Sequence, residues 1–189
     1  MSQESHGFDL ETASAGIAMF LRGMGLNVED QHLQKTPLRV AKAWRDFFGK
    51  GYFQRPEDIL TVEFNSKYSG LVIVRDIPFV SHCAHHLVEF SGTAKIGYQP
   101  KDKITGLSKL ARILDLYACR LQVQEDLTQE IADALMTGLE PNGVGVVLTA
   151  AHQCMCHRGV MKPGSVTITS CLRGTILTDP GLKQEFLNF

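Results

Sequence analysis

The feature that most constrains this chain is a pair of short clusters of thiols and imidazoles far apart in sequence. Cys83-Ala84-His85-His86 closes one apolar stretch, and His152-Gln153-Cys154-Met155-Cys156-His157 closes another. Each is half of a metal site, so the fold must bring two strand ends to one point. Thiolate with imidazole selects zinc over magnesium or calcium, which prefer oxygen ligands. A structural zinc site closes with four protein ligands, whereas three leave a position open for water, whose pKa zinc lowers to about 7. Spacing alone admits Cys154 or Cys156 as the second thiolate, since on a strand the two share a face. Histidines left over, His85 and His152, are matched by their ordinary pKa to moving protons at neutral pH and are the candidate general acid and base.

The rest of the pattern supplies a scaffold for such a site. A helix is expected from about Phe8 to Met24, where Leu10, Ala13, Ile17 and Leu21 form one stripe and Gly25 is the stop. A second helix, from about Pro37 to Phe48, has Thr36 as capping hydroxyl and Arg39 in its first turn. From Leu71 the period changes to two, with strands over 71–83 and 86–100 and a bulge or bend at Ser91-Gly92. A helix over 107–122 follows Gly106, on the recurrence of Leu107, Leu110, Leu114, Tyr117 and Leu121. Another runs from about Leu127 to Leu139, with Asp126 as N-cap and Gln129 completing a capping box. Two last strands, over 143–154 and 164–177, flank an irregular stretch. One structural domain is expected, with a helical region over 1–60 and the catalytic region over 61–189.

Candidate ligand groups lie around these elements. Ser108, Lys109 and Arg112 open the helix after Gly106, where free N–H groups and the positive dipole end favour an anion. Arg158 and Arg39 can complete a polyphosphate cage by charge-assisted hydrogen bonds. Gln124 and Glu125, read as the polar end of that same helix, offer an amide and a carboxylate able to accept from two adjacent N–H groups, the pattern of guanine N1 and its 2-amino group.

Composition narrows the class. The 189 residues suffice for one core, and 19 basic against 20 acidic residues leave a formal charge of −1, with no general attraction for nucleic acid or an anionic membrane. The N-terminus lacks a signal-like pattern and no apolar run approaches a span, so a cytoplasmic protein is expected. Five cysteines, an odd number, favour metal binding or burial over a disulfide framework.

Taken together, KTPLRVAKAW at 35–44, SHCAHHLVEFSG at 81–92, GLSKLARILDLYACRLQVQEDLT at 106–128 and PNGVGVVLTAAHQCMCHRGV at 141–160 resemble the GTP cyclohydrolase I family. The resemblance implies an α+β tunnelling fold (T-fold), N-terminal helices followed by antiparallel strands with two helices packed on them, the strands joining across subunits into a barrel. It implies a homodecamer of two pentameric rings with active sites between subunits. It implies zinc-dependent opening of the imidazole ring of GTP at C8, formate release and rearrangement to 7,8-dihydroneopterin triphosphate.

Carried over by position, the resemblance makes Cys83, His86 and Cys154 the zinc ligands and His85 and His152 the proton carriers. It makes Gln124 and Glu125 the readers of guanine. Ser108, Lys109, Arg112 and Arg158 become triphosphate contacts, with Arg39 contributed from a neighbouring subunit. The family's Cys-Glu-His-His string has Ala84 at its glutamate here, and Glu89 stands where many members have proline. A paralogue with an altered or truncated reaction, or a non-catalytic GTP-binding subunit, are the alternatives that this departure keeps in view.

Overall fold

The computed structural model describes residues 7–61 and 63–189. The described helices before the first strand are α1 (Leu10–Gly23), α2 (Thr36–Ala43) and α3 (Pro56–Ile59), with a π-helical turn at Trp44–Phe48 and a 3-10 turn at Lys50–Phe53 between the last two. Asp9 caps α1 by accepting from Thr12 N, and Gly25, at φ 77°, turns the chain just past the helix end. Thr36 is not the expected cap: it lies inside α2, and its hydroxyl donates back to the His32 carbonyl at 3.4 Å.

Strands β1 (Glu63–Asn65) and β4 (Lys103–Thr105) form a small antiparallel pair. The main sheet has the order β5-β2-β3-β6-β7, built from β2 (Val72–Cys83), β3 (Glu89–Gln99), β5 (Leu121–Gln122), β6 (Gly143–His152) and β7 (Thr167–Gly174). Every neighbour pair is antiparallel except β2 with β5.

Helices α4 (Leu107–Ala118) and α5 (Gln124–Leu139) cover one face of this sheet. Leu110, Ile113, Leu114, Leu127, Ile131 and Leu135 are buried there against Phe79, Phe90, Ile96, Val146 and Leu148. On the other face α7 (Thr175–Thr178) and α8 (Pro180–Asn188) fold back, burying Ile176 and Phe186 beside Leu71. The Phe186 ring fits because Gly145 lies beneath it; a Cβ there would meet the ring at 2.6 Å. Among the described residues no helix is long and apolar enough to cross a membrane.

One irregularity decides which face receives Cys83. Val74 pairs with Ile96 but Ile77 with Ala94, so β2 carries one extra residue at Arg75-Asp76, and Asp76 takes the left-handed φ of 58°. Before the bulge Val72 and Val74 face the helices; after it Ile77, Phe79 and Cys83 do. Because side chains alternate, a one-residue slip swaps faces, and without the bulge Cys83 would point away from α4 and α5. The bulge is therefore at Arg75-Asp76; of the bulge or bend expected at Ser91-Gly92, the bulge is not there, since β3 pairs regularly. Gly92 serves another purpose, since a Cβ would meet the Thr149 carbonyl oxygen at 1.9 Å.

Three of the boundaries that differ from expectation shape the site. Helix α4 stops at Ala118, and Leu121-Gln122, expected as its last turn, pairs with His82-Cys83 as β5. Helix α5 starts at Gln124 with Val123 as N-cap, displacing Asp126 from that role. Strand β6 stops at His152, and the short helix α6 (Gln153–Cys156) follows it. Likewise β7 ends at Gly174, where α7 begins.

The helical N-terminal region is fastened to this end of the sheet. Gly51 N donates to Cys119 O at 3.0 Å, Arg120 Nε donates to Gly51 O at 3.1 Å, and Leu121 N donates to the Tyr52 hydroxyl at 3.0 Å. A Cβ at Gly51 would sit 1.9 Å from Leu116 O, so only glycine allows this approach.

Candidate active site

Strand β2 delivers Cys83 and then reverses in a tight turn. Cys83 O accepts from Leu87 N at 2.8 Å and from His86 N at 3.2 Å, Cys83 N donates to Val88 O at 2.9 Å, and Leu87 takes φ 56°. Ala84 N donates to Gln122 O at 2.9 Å, which ties the turn to β5. The main chain alone thus holds His85 and His86 beside the thiol: Cys83 Sγ is 3.8 Å from His86 Nδ1 and 3.9 Å from His85 Nδ1.

The second cluster arrives through β6 and α6. The ligand atoms of Cys83, His86 and Cys154 all lie within 4.8 Å of one another. A tetrahedral zinc ion spaces sulfur and nitrogen ligands roughly 3.5 Å apart, so the donor set and its spacing suit that ion. The helical turn brings Cys154 to Cys83, while Cys156, which spacing admitted equally, is buried outside the group. Burial and the neighbouring Cys83 thiol push the Cys154 thiol up, and Arg158 pulls it back down. A divalent cation held between these residues would favour the Cys154 thiolate.

His152, the last residue of β6, pairs with Phe90 and lies flat on its ring, with centroids 4.6 Å apart and planes 2° apart. Its Nε2 is 2.7 Å from Gln124 Oε1. Burial pushes its pKa below the usual histidine value, opposed by the nearby Glu125 carboxylate.

Gln124 differs from its expected place, opening α5 where the end of the preceding helix was expected. As the first residue of α5 it is 1% exposed, and its Nε2 lies 3.3 Å from Leu148 O, 3.1 Å from Thr167 O and 3.1 Å from Thr169 Oγ1. Both ends of its amide are thus hydrogen-bonded within the chain. Glu125, the next residue, is exposed at the same helix end.

The remaining expected site residues are spread out. His85 is exposed beside the cluster, and Arg158 is exposed just past α6. Ser108 and Arg112 are exposed and Lys109 half-buried at the start of α4, whose first turn holds no acidic residue. These three are not gathered with the thiols within one chain. The C-terminal end of α4 leads directly to β5 beside Cys83, and its 12 residues make it about 18 Å long at about 1.5 Å per residue, which sets Ser108 far from the metal donors. Thr105, just ahead of α4, donates its N–H to the Tyr98 hydroxyl, and Tyr98 pairs with Val72 at the opposite end of β2.

Arg39 is exposed on α2. The π-helical turn that continues α2 lays Trp44 and Phe48 on the ring of His82, with centroids 4.9 and 4.7 Å away. Glu89 pairs with His82 across the hairpin, so it shares the face of His82 and not that of Cys83. It stands near the turn but does not restore a carboxylate on the metal side.

Sequence reasoning missed the Phe90 stack and the threonines behind Gln124. Their signal was present: Thr128 lies one helical turn after Gln124 on the apolar side of α5, and is 1% exposed. A polar residue on a core stripe marks a partner inside.

The chain is similar to known enzymes along nearly its whole length. GTP cyclohydrolase 1 of Streptomyces avermitilis is 48% identical over 96% of this chain and 90% of its own length. The enzyme of that name from Mycolicibacterium gilvum is 46% identical over the same shares. That from Mycobacterium leprae is 47% identical over 95% of this chain and 88% of its own. The GTP cyclohydrolase I family pattern matches residues 13–189, and with relatives this similar along nearly the whole chain, the protein belongs to the GTP cyclohydrolase I family.

Proposed function

We propose that this protein is a zinc-dependent GTP cyclohydrolase I, opening the guanine imidazole ring of GTP with release of formate and rearrangement to 7,8-dihydroneopterin triphosphate. The observation that carries the reading is the convergence of Cys83, His86 and Cys154 beside His85 and His152 in a chain of this family. Those three residues would hold Zn²⁺, which supplies a Lewis acid and hydroxide at neutral pH.

The chain's own groups do the rest. His85, exposed at the turn, and His152, half-buried on Phe90, exchange protons with the opening ring and then with the ribose. Glu125 accepts from N1–H and the 2-amino group of guanine. Its place in the first turn of α5 leaves that carboxylate exposed at the N-terminal end of the helix. Ser108, Lys109, Arg112 and Arg158 bind the triphosphate, with Arg39 adding a further cation.

Because the α4 cations and the thiols lie at opposite ends of the sheet, a complete site needs two chains. Surface features support such an assembly, for which the family's decamer is the proposed form. Strand β7 is an open edge with Ile168 66% exposed, and Phe20 on α1 is 64% exposed. The free thiols of Cys83, Cys119, Cys154, Cys156 and Cys171 suit the reducing cytoplasm proposed as its location.

Ala84 favours one second reading, a paralogue that stops after ring opening. Zinc-loaded protein incubated with GTP separates the two. Formate and oxidised-pterin fluorescence in equal amounts are expected; formate without pterin, or a formylated ring-opened product, identifies the truncated reaction, and GTP binding without turnover overturns both.

A further inference from the structure

Behind His152 lies a hydrogen-bond chain whose proton directions can be assigned one by one. Thr128 Oγ1 lies 2.7 Å from Gln124 O, an acceptor only, so the single Thr128 hydroxyl proton points there. Thr169 Oγ1 is 2.6 Å from Thr128 Oγ1, so in that contact Thr169 is the donor. Its proton spent, Thr169 Oγ1 can only accept from the Gln124 side chain 3.1 Å away. The other two neighbours on that side, Leu148 O and Thr167 O, are carbonyl oxygens. All three are acceptors, so the amide must turn its NH₂ toward them and its oxygen toward His152. The imidazole atom 2.7 Å from that oxygen, Nε2, must then carry a proton.

We propose that Gln124 is a positioning residue for the reaction, holding neutral His152 as the Nε2–H tautomer so that Nδ1 is the ring's one proton-accepting atom. The Phe90 ring, parallel to the imidazole at 4.6 Å, fixes the plane in which that lone pair is presented. Burial of Gln124 at 1% keeps water from supplying a competing donor or acceptor. The logic is that of any histidine base whose second nitrogen is bonded to a fixed partner: the partner chooses the tautomer and so the atom that does the chemistry. This assignment makes Gln124 act through His152, and it rests on the reading of His152 as a proton carrier given above.

Two measurements test it, the first independent of turnover. Solid-state NMR of the sedimented zinc-free protein, labelled with ¹⁵N-histidine and held at a pH where imidazoles are neutral, reads the tautomer of His152, assigned by loss of its signal in His152→Asn. A protonated Nε2 with bare Nδ1 is expected, and a protonated Nδ1 overturns the proposal even if GTP is turned over normally.

The second uses Gln124→Met, which keeps the volume but offers His152 no amide oxygen. In zinc-loaded protein kcat is expected to fall about 10- to 100-fold with KM for GTP within about threefold. A raised KM with kcat retained would make Gln124 a reader of the base and overturn the positioning role, as would unchanged kinetics. If wild-type protein shows the Nε2–H tautomer but releases no formate, the proposed reaction has failed while the tautomer assignment has not.

Discussion

The two ends of the central sheet are prepared in opposite ways. At the Cys83 end the reactive groups are held by protein: the main-chain turn from Cys83 to Val88 sets the imidazoles, and Gln124 and Phe90 set His152. At the Tyr98 end, Ser108 and Arg112 stand exposed with Lys109 on the first turns of α4, a helix end with no side-chain cap and no acidic residue in its first turn. In the proposed function the first end supplies the chemistry without a complete anion holder, and the second supplies the anion holder without chemistry. Chemistry demands groups fixed before the substrate arrives, whereas a triphosphate can be gathered by longer, mobile cations. On the proposed assembly, one chain supplies two half-sites.

The comparison breaks most visibly at the thiols. Cys154→Ser is expected to lose bound zinc, read by elemental analysis, and to lower turnover by at least about 10³-fold, whereas Cys156→Ser keeps both. Retention of zinc in the first variant and its loss in the second would move the site to Cys156. At the other end Arg112→Ala should leave zinc content unchanged and raise KM for GTP about 10- to 100-fold, the worth of one charge-assisted hydrogen bond of about 1.5–3 kcal/mol. Zinc loss there would contradict the separation of the two ends.

The smallest expected effect is at Ala84. The turn is held by its backbone, with Ala84 N donating to Gln122 O, and the side chain is exposed. Ala84→Glu should therefore change kcat by less than about threefold, a surface effect of about half a kcal/mol. A gain of tenfold or more in pterin formation would show that the missing carboxylate limits this chain.

How much of this was legible beforehand depends on the length of the pattern. The long periodic elements were: the stripe of Leu10, Ala13, Ile17 and Leu21 became α1, and the alternation after Leu71 became β2 and β3. The two clusters of thiols and imidazoles were legible because zinc needs soft donors in short groups. Short segments were not. Leu121 continues the helical spacing of Leu114 and Tyr117, yet it pairs with His82 in β5, because two residues carry no period of their own. That misplacement carried Gln124 to the end of one helix instead of the start of the next, and so hid its partnership with His152. The bulge escaped for a related reason: Arg75-Asp76 contains no glycine, and Asp tolerates the left-handed conformation without advertising it.

The central claim, that each active site joins the thiol end of one chain to the α4 end of another, is tested most directly by mixing two disabled chains. Cys154→Ser lacks the metal half, and the double variant Lys109→Ala/Arg112→Ala lacks the anion half. Co-expressed in equal amounts under different tags and purified as mixed oligomers, they should recover about a quarter of the wild-type rate at low GTP, the random share of sites with both halves intact. Activity no greater than the sum of the two parents would contradict the account, for it would place both halves within one chain.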